Sequence, residues 1–87
     1  MRLEAGVAIL EGDLVLDHAT RLLAEGEAAI GAGCTQFDLA GVGRMDSSAL
    51  SLMLALRRHA NGKTLQFHNV PESLTSLATL YGIADQL

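Results

Sequence analysis

Tryptophan is absent from the 87 residues, and Phe37, Phe67 and Tyr81 make up an aromatic share of only 3%. Platforms for base stacking are therefore nearly missing, and any core must be built from Leu, Ala, Val and Ile. Basic residues are scarce too: six Lys or Arg stand against ten Asp or Glu, for a net charge of −4 and a pI of about 5.1. The acids are uneven, with eight against three Arg in residues 1–46 and two against three bases in residues 47–87. Nothing here resembles the basic stripe that a phosphate backbone requires, so no nucleic-acid partner is expected. A lone Cys34 excludes an intrachain disulfide and a multi-cysteine zinc site, and reads as a small buried thiol in a reducing compartment. No apolar run approaches the ~18 residues that span a bilayer, and Arg2 and Glu4 follow Met1 at once. The expectation is a soluble, cytoplasmic chain with no direct membrane insertion.

What is present is apolar and globular in character: 49% hydrophobic, 18% charged, mean hydropathy +0.30. Residues 1–87 are too few for two domains, and a chain of this size has a stability of roughly 4 to 13 kcal/mol, which leaves little for an elaborate catalytic cavity.

Along the chain, Leu3 to Glu11 reads as a strand entered through a turn at Ala5-Gly6 and broken by Gly12-Asp13. From Asp17 as N-cap, Leu22, Leu23, Gly26 and Ile30 recur at helical spacing until Gly31 and Gly33. Thr35 to Leu39 is a short alternating strand, with Gly41-Val42-Gly43 as its exit loop. Ser47 to Ala60 is the clearest helix, because Ala49, Leu52, Met53, Leu56 and Ala60 share a face that Leu50 and Leu54 widen; Asn61-Gly62 stops it. Thr64 to His68 makes another strand, with Leu65 and Phe67 on one face. Pro71 then opens a last helix that buries Leu74, Leu77, Ala78 and Tyr81 and ends at Gly82. Strand and helix alternate, which predicts a small, mostly parallel sheet with one face packed and the other, carrying Gln36, Asp38, Gln66 and His68, partly wet.

Several chemistry-bearing patterns fail. Gly41-Val42-Gly43 begins like a dinucleotide fingerprint, but Asp46 stands where the third glycine belongs. No phosphate-binding Walker sequence occurs, and neither Ser47 nor Ser48 lies in Gly-x-Ser-x-Gly. His18, His59 and His68 lack metal-ligand spacing, so no metal and no cofactor is expected.

Arg44-Met45-Asp46-Ser47-Ser48-Ala49-Leu50 is left, at the turn from a strand into the best helix. Asp46 suits an N-cap, with small polar residues after it. The same residues also display two hydroxyls at the positive end of a helix dipole, where a phosphate or a partner's carboxylate is stabilised. The two readings are compatible.

Phe37-Asp38-Leu39, Gly41-Val42 and Met45-Asp46-Ser47-Ser48-Ala49-Leu50 together resemble the signature of STAS domains, found in anti-sigma-factor antagonists and sulfate-transporter tails. Leu10-Glu11-Gly12-Asp13-Leu14 is similar to the family's first strand and turn, so the likeness covers nearly the whole chain. Lys63 to Leu74 and Leu80-Tyr81-Gly82-Ile83 resemble the MlaB-like branch, the cytoplasmic STAS subunits of Mla phospholipid-transport ABC systems.

The resemblance implies an α/β fold: one STAS domain, anti-sigma-factor-antagonist-like, with a mostly parallel four-stranded sheet and three helices. It implies no catalytic activity, and a partner docked at the helix start through Asp46, Ser47, Ser48 and Ala49. In the MlaB-like branch that partner is the transporter's ATPase, of the MlaF kind, in complex with an inner-membrane permease. The chain would then sit in the cytoplasm, peripheral to the inner membrane, supporting phospholipid movement that maintains outer-membrane lipid asymmetry.

The alternative is an anti-sigma-factor antagonist in a partner-switching cascade, where a kinase phosphorylates the position matched by Ser48; the MlaB-like pattern places its key hydroxyl at Ser47. The close at Asp85-Gln86-Leu87, without a further element, favours the transporter branch. Most STAS domains carry Gly where this chain has Ala49, and a methyl there narrows a kinase's access. Arg57 and Arg58, with His59, read either as a solvated, dipole-favoured helix end or as an edge of the partner surface. A second contact surface is expected on the last helix at Pro71, Glu72, Ser73, Thr75, Ser76 and Thr79.

Overall fold

The computed structural model describes residues 1–61 and 63–83. Ala5 and Gly6 both adopt positive φ, 51° and 81°. Such a turn matches the twist of an antiparallel pair, so the first segment is a hairpin rather than one strand. β1 (Arg2–Glu4) lies antiparallel to β2 (Val7–Leu14). Gly12, expected to break the strand, stays within it at φ 84° and pairs with Val42.

α1 (Leu16–Gly31) starts one residue before Asp17, which lies in its first turn; Val15 is the N-cap and offers no side-chain bond. The helix ends in a Schellman motif, with Cys34 N–H bonded to Ala29 O at 2.9 Å, Gly33 N–H bonded to Ile30 O at 2.9 Å, and Gly33 at φ 96°. Cys34 is buried as expected, its thiol 3.1 Å from Gln36 O.

β3 (Gln36–Met45) is twice the expected strand, and Gly41-Val42-Gly43 is inside it rather than beyond it. The reason is close approach. A Cβ at Gly41 would lie 3.0 Å from Glu11 Cγ, and one at Gly43 would lie 2.9 Å from Asp13 Oδ1, so glycine lets β3 run on beside β2 without displacing those side chains. Ile9 pairs with Asp38 and Glu11 with Gly41, then Gly12 with Val42 and Leu14 with Met45, so β3 twice holds an extra residue. A bulge leaves an amide outside the ladder. Ala40 N–H donates to Asp38 Oδ1 at 2.9 Å, and Arg44 N–H donates to Asp13 Oδ1 at 2.8 Å.

α2 (Ser47–Ala60) has the expected bounds, and Asn61 ends it in the left-handed region; Gly62, the other half of the expected stop, and Asp85-Gln86-Leu87 lie outside the described residues. β4 (Gln66–His68) is parallel to β3, and α3 (Glu72–Leu80) follows Pro71. Tyr81, expected in the core, is 60% exposed. The chain leaves the helix at Tyr81, and a second Schellman motif bonds Ile83 N–H to Ala78 O at 2.9 Å, so Ile83 packs against the core instead.

The sheet order is β1-β2-β3-β4, with β1 antiparallel and the other pairings parallel. Ala8, Leu10, Leu14, Phe37 and Leu39 alternate onto one buried face and join Leu22, Leu52, Met53, Leu56, Leu74 and Ala78 in a single core. Gln36 and Asp38 on the other face are half-buried, while Gln66 and His68 are exposed. The expected packed and partly wet faces are both present.

Candidate functional site

The β3 chain leaves its last rung at Asp46 with extended backbone, φ −130° and ψ −169°, which aims the carboxylate at the start of α2. Oδ1 accepts the Ser48 N–H at 2.8 Å, the N-cap bond that the sequence leads one to expect. Oδ2 accepts the Leu16 N–H at 3.2 Å, so the same side chain also serves the first turn of α1. These bonds favour the ionised form, and the Ser48 and Leu16 amides hold the Asp46 carboxyl below its usual value.

α1 and α2 therefore start side by side, and a surface groove of about 370 Å³ opens between them. α1 supplies Leu16, Ala19, Thr20 and Leu23, and α2 supplies Ser47, Ser48, Ser51, Ala55 and Arg58 among others. The groove is apolar along its floor, with hydroxyls and one guanidinium along its rim. Leu16, at the start of α1, is 72% exposed. A smaller hollow of about 280 Å³ adjoins it, lined by Val15, Leu16, Asp17, Arg44 and Asp46.

The residues singled out from the sequence do not all share this surface. Ser47 is exposed, Ser48 is half-buried, and both line the groove. Ala49 is buried, so its methyl adds to the core and does not cover the serines. Arg58 lines the groove, whereas Arg57 donates to Leu65 O at 3.1 Å and lies 4.9 Å from the Phe67 ring centroid, bracing β4 against α2. His59 faces Glu27 across the two helices at 3.3 Å. On α3, Glu72, Ser73, Thr75, Ser76 and Thr79 are exposed, and Ser73 Oγ reaches Met45 Sδ at 3.6 Å, which sets this face beside Asp46.

Leu16, Thr20, Ser51 and Ala55 are groove residues that sequence reasoning passed over. Ser51 was available from spacing, since it follows Ser47 by one helical turn on the same face. The α1 residues carried no such signal. Among the described residues, no group of three His, Cys, Asp or Glu could hold a metal ion, and no helix is long and apolar enough to cross a membrane.

A family model described as Mlab, STAS domain, matches residues 1–87. No curated protein matches the chain. Among solved structures, one described as the anti-sigma factor antagonist SpoIIAA in its unphosphorylated form matches with a TM-score of 0.58 and 20% sequence identity, covering 94% of this chain and 78% of that one. At that identity the likeness establishes the shared fold alone.

Proposed function

The chain belongs to the STAS domain family in its Mlab branch, and from that membership we propose that it is a non-catalytic subunit that docks on and supports the ATPase of a phospholipid-moving ABC transporter. It would be held at the cytoplasmic side of the inner membrane through that ATPase and its permease, and the transport would maintain outer-membrane lipid asymmetry. The observation that carries the reading is the groove at the starts of α1 and α2. An exposed leucine, small side chains and a row of hydroxyls let another protein's backbone approach closely, with Arg58 available to a partner carboxylate. Ser47 lines it and is exposed. Ser47→Arg should abolish co-purification with the ATPase while leaving the melting temperature within a few degrees, because the side chain removed is not packed. Unchanged co-purification would refute the placement.

A second reading, an antagonist in a serine-phosphorylation cascade, is favoured by one observation: Ser48, which lines the groove, has its N–H bonded to Asp46 at the α2 start, in a fold shared with an anti-sigma factor antagonist described in an unphosphorylated form. A phosphate there adds roughly −1.5 to −2 charges, welcomed by the helix dipole and opposed by Asp46. At a docked interface without a basic counterpart its desolvation weakens binding. Intact-mass spectrometry of the complex from its own cells should find Ser48 unmodified. Stoichiometric phosphate in the bound pool, or tighter binding of the phosphorylated protein, would put the second reading first.

A further inference from the structure

Two helices begin within reach of one carboxylate. α1 has no cap of its own, since Val15 offers no side-chain acceptor, and the first N–H groups of a helix have no partner within it. The Leu16 N–H is taken by Asp46 Oδ2 at 3.2 Å, from the far end of β3. Oδ1 holds the Ser48 N–H at 2.8 Å, and the Asp46 N–H is itself held by Leu14 O at 3.2 Å. Asp13 reaches the other way to the Arg44 N–H at 2.8 Å, so the ends of β2 and β3 are laced in both directions.

The geometry points to a coupling device: Asp46 is a shared cap that transmits the condition of the α2 start to Leu16, the exposed apolar side chain at the mouth of the groove. A carboxylate is rigid and planar, so its two oxygens move together. A group that draws Oδ1 from the Ser48 N–H, or a charge that repels the carboxylate, withdraws Oδ2 from Leu16 in the same motion. The first turn of α1 then has no acceptor for that amide, and Leu16, 72% exposed, has little packing to hold it in place. A phosphate on Ser48, which belongs to the α2 wall, acts on the α1 wall of the groove through this carboxylate. This coupling lies in the fold and holds whichever partner docks.

Amide hydrogen exchange, followed by NMR on the full chain, separates the two oxygens. Asn caps helices as well as Asp does, so Asp46→Asn keeps the Ser48 bond and the fold but presents an NH₂ group toward Leu16. The Leu16 amide should exchange roughly tenfold faster in Asp46→Asn, as expected for one lost charge-assisted hydrogen bond, with Ser48 within about twofold of its original rate. In Asp46→Ala both amides should accelerate. Protein carrying phosphoserine at position 48 should show the same acceleration at Leu16. Acceleration of Ser48 alone in Asp46→Ala would overturn the shared cap, and an unchanged Leu16 rate in the phosphorylated protein would overturn the transmission.

Discussion

Gly26→Ala tests how tightly α1 is seated on α2, and with it the width of the groove. Gly26 is buried in the middle of α1, where a Cβ would lie 2.5 Å from Leu56 Cδ2, 3.3 Å from Cδ1 and 3.5 Å from Cγ. In an exposed helix the change would stabilise by about 1 kcal/mol through helix propensity. Here the added methyl must displace Leu56, which is 0% exposed. Overpacking of this kind costs roughly 1–3 kcal/mol, so the net change is a loss of about 0–2 kcal/mol, toward the upper end because Leu56 is fully enclosed. At roughly 4–8 °C per kcal/mol for a domain of this size, the melting temperature falls by up to about 15 °C. Urea unfolding of the wild type, Gly26→Ala, Leu56→Val and the double variant measures the coupling directly. Valine lacks both Cδ atoms, so in that background Gly26→Ala should change sign and stabilise. A Gly26→Ala effect that is stabilising in the wild-type background, or identical in both backgrounds, would refute the argument.

Two further outcomes follow from single residues. Ala5 is a non-glycine residue at φ 51° in the β1–β2 turn, and Asn-Gly is the pair that such turns prefer, so Ala5→Asn should stabilise by a few tenths to about 1 kcal/mol; a lower urea midpoint would refute it. Asp38 is held below its usual value of 3.8 by Asn69 first and then the Ala40 N–H, and Asp46 by the Ser48 and Leu16 amides. Folded values below unfolded ones mean that their stabilisation is fully present above about pH 4 and is lost as pH falls through the lowered values. Asp38→Ala should therefore unfold less steeply with acid than the wild type, and a parallel acid limb would show that Asp38 contributes nothing through its charge.

Local pattern explains why some elements were legible and others were not. α2 is readable because periodicity, N-cap and stop signal agree over fourteen residues, Ser47–Ala60. The buried faces of β2 and β3 follow from alternation alone. Gly12, Gly41 and Gly43 misled because glycine marks a turn in isolated sequence; here Gly41 and Gly43 mark places where β2 crowds β3, and Gly12 supplies a positive φ of 84° within a paired strand. Tyr81 misled for another. Its spacing from Leu74 and Ala78 suits a continuing helix, whereas the Gly82 turn hands the apolar position to Ile83.

The amino-acid order by itself therefore determined an α/β chain with an aliphatic core, one wet sheet face and a capped helix at Asp46, together with its membership in the STAS domain family. All of these depend on neighbours within a few residues, where steric preference and hydrophobic period act directly. The tertiary structure alone decided that Leu16 would stand beside Ser47 and Ser48, that Arg57 would brace β4 while Arg58 lined the groove, and that Asp46 would cap two helices. Each of these is a meeting of segments far apart in sequence, set by sheet register and by bulges. A carboxylate's second lone acceptor has no local rule that says which distant N–H will reach it.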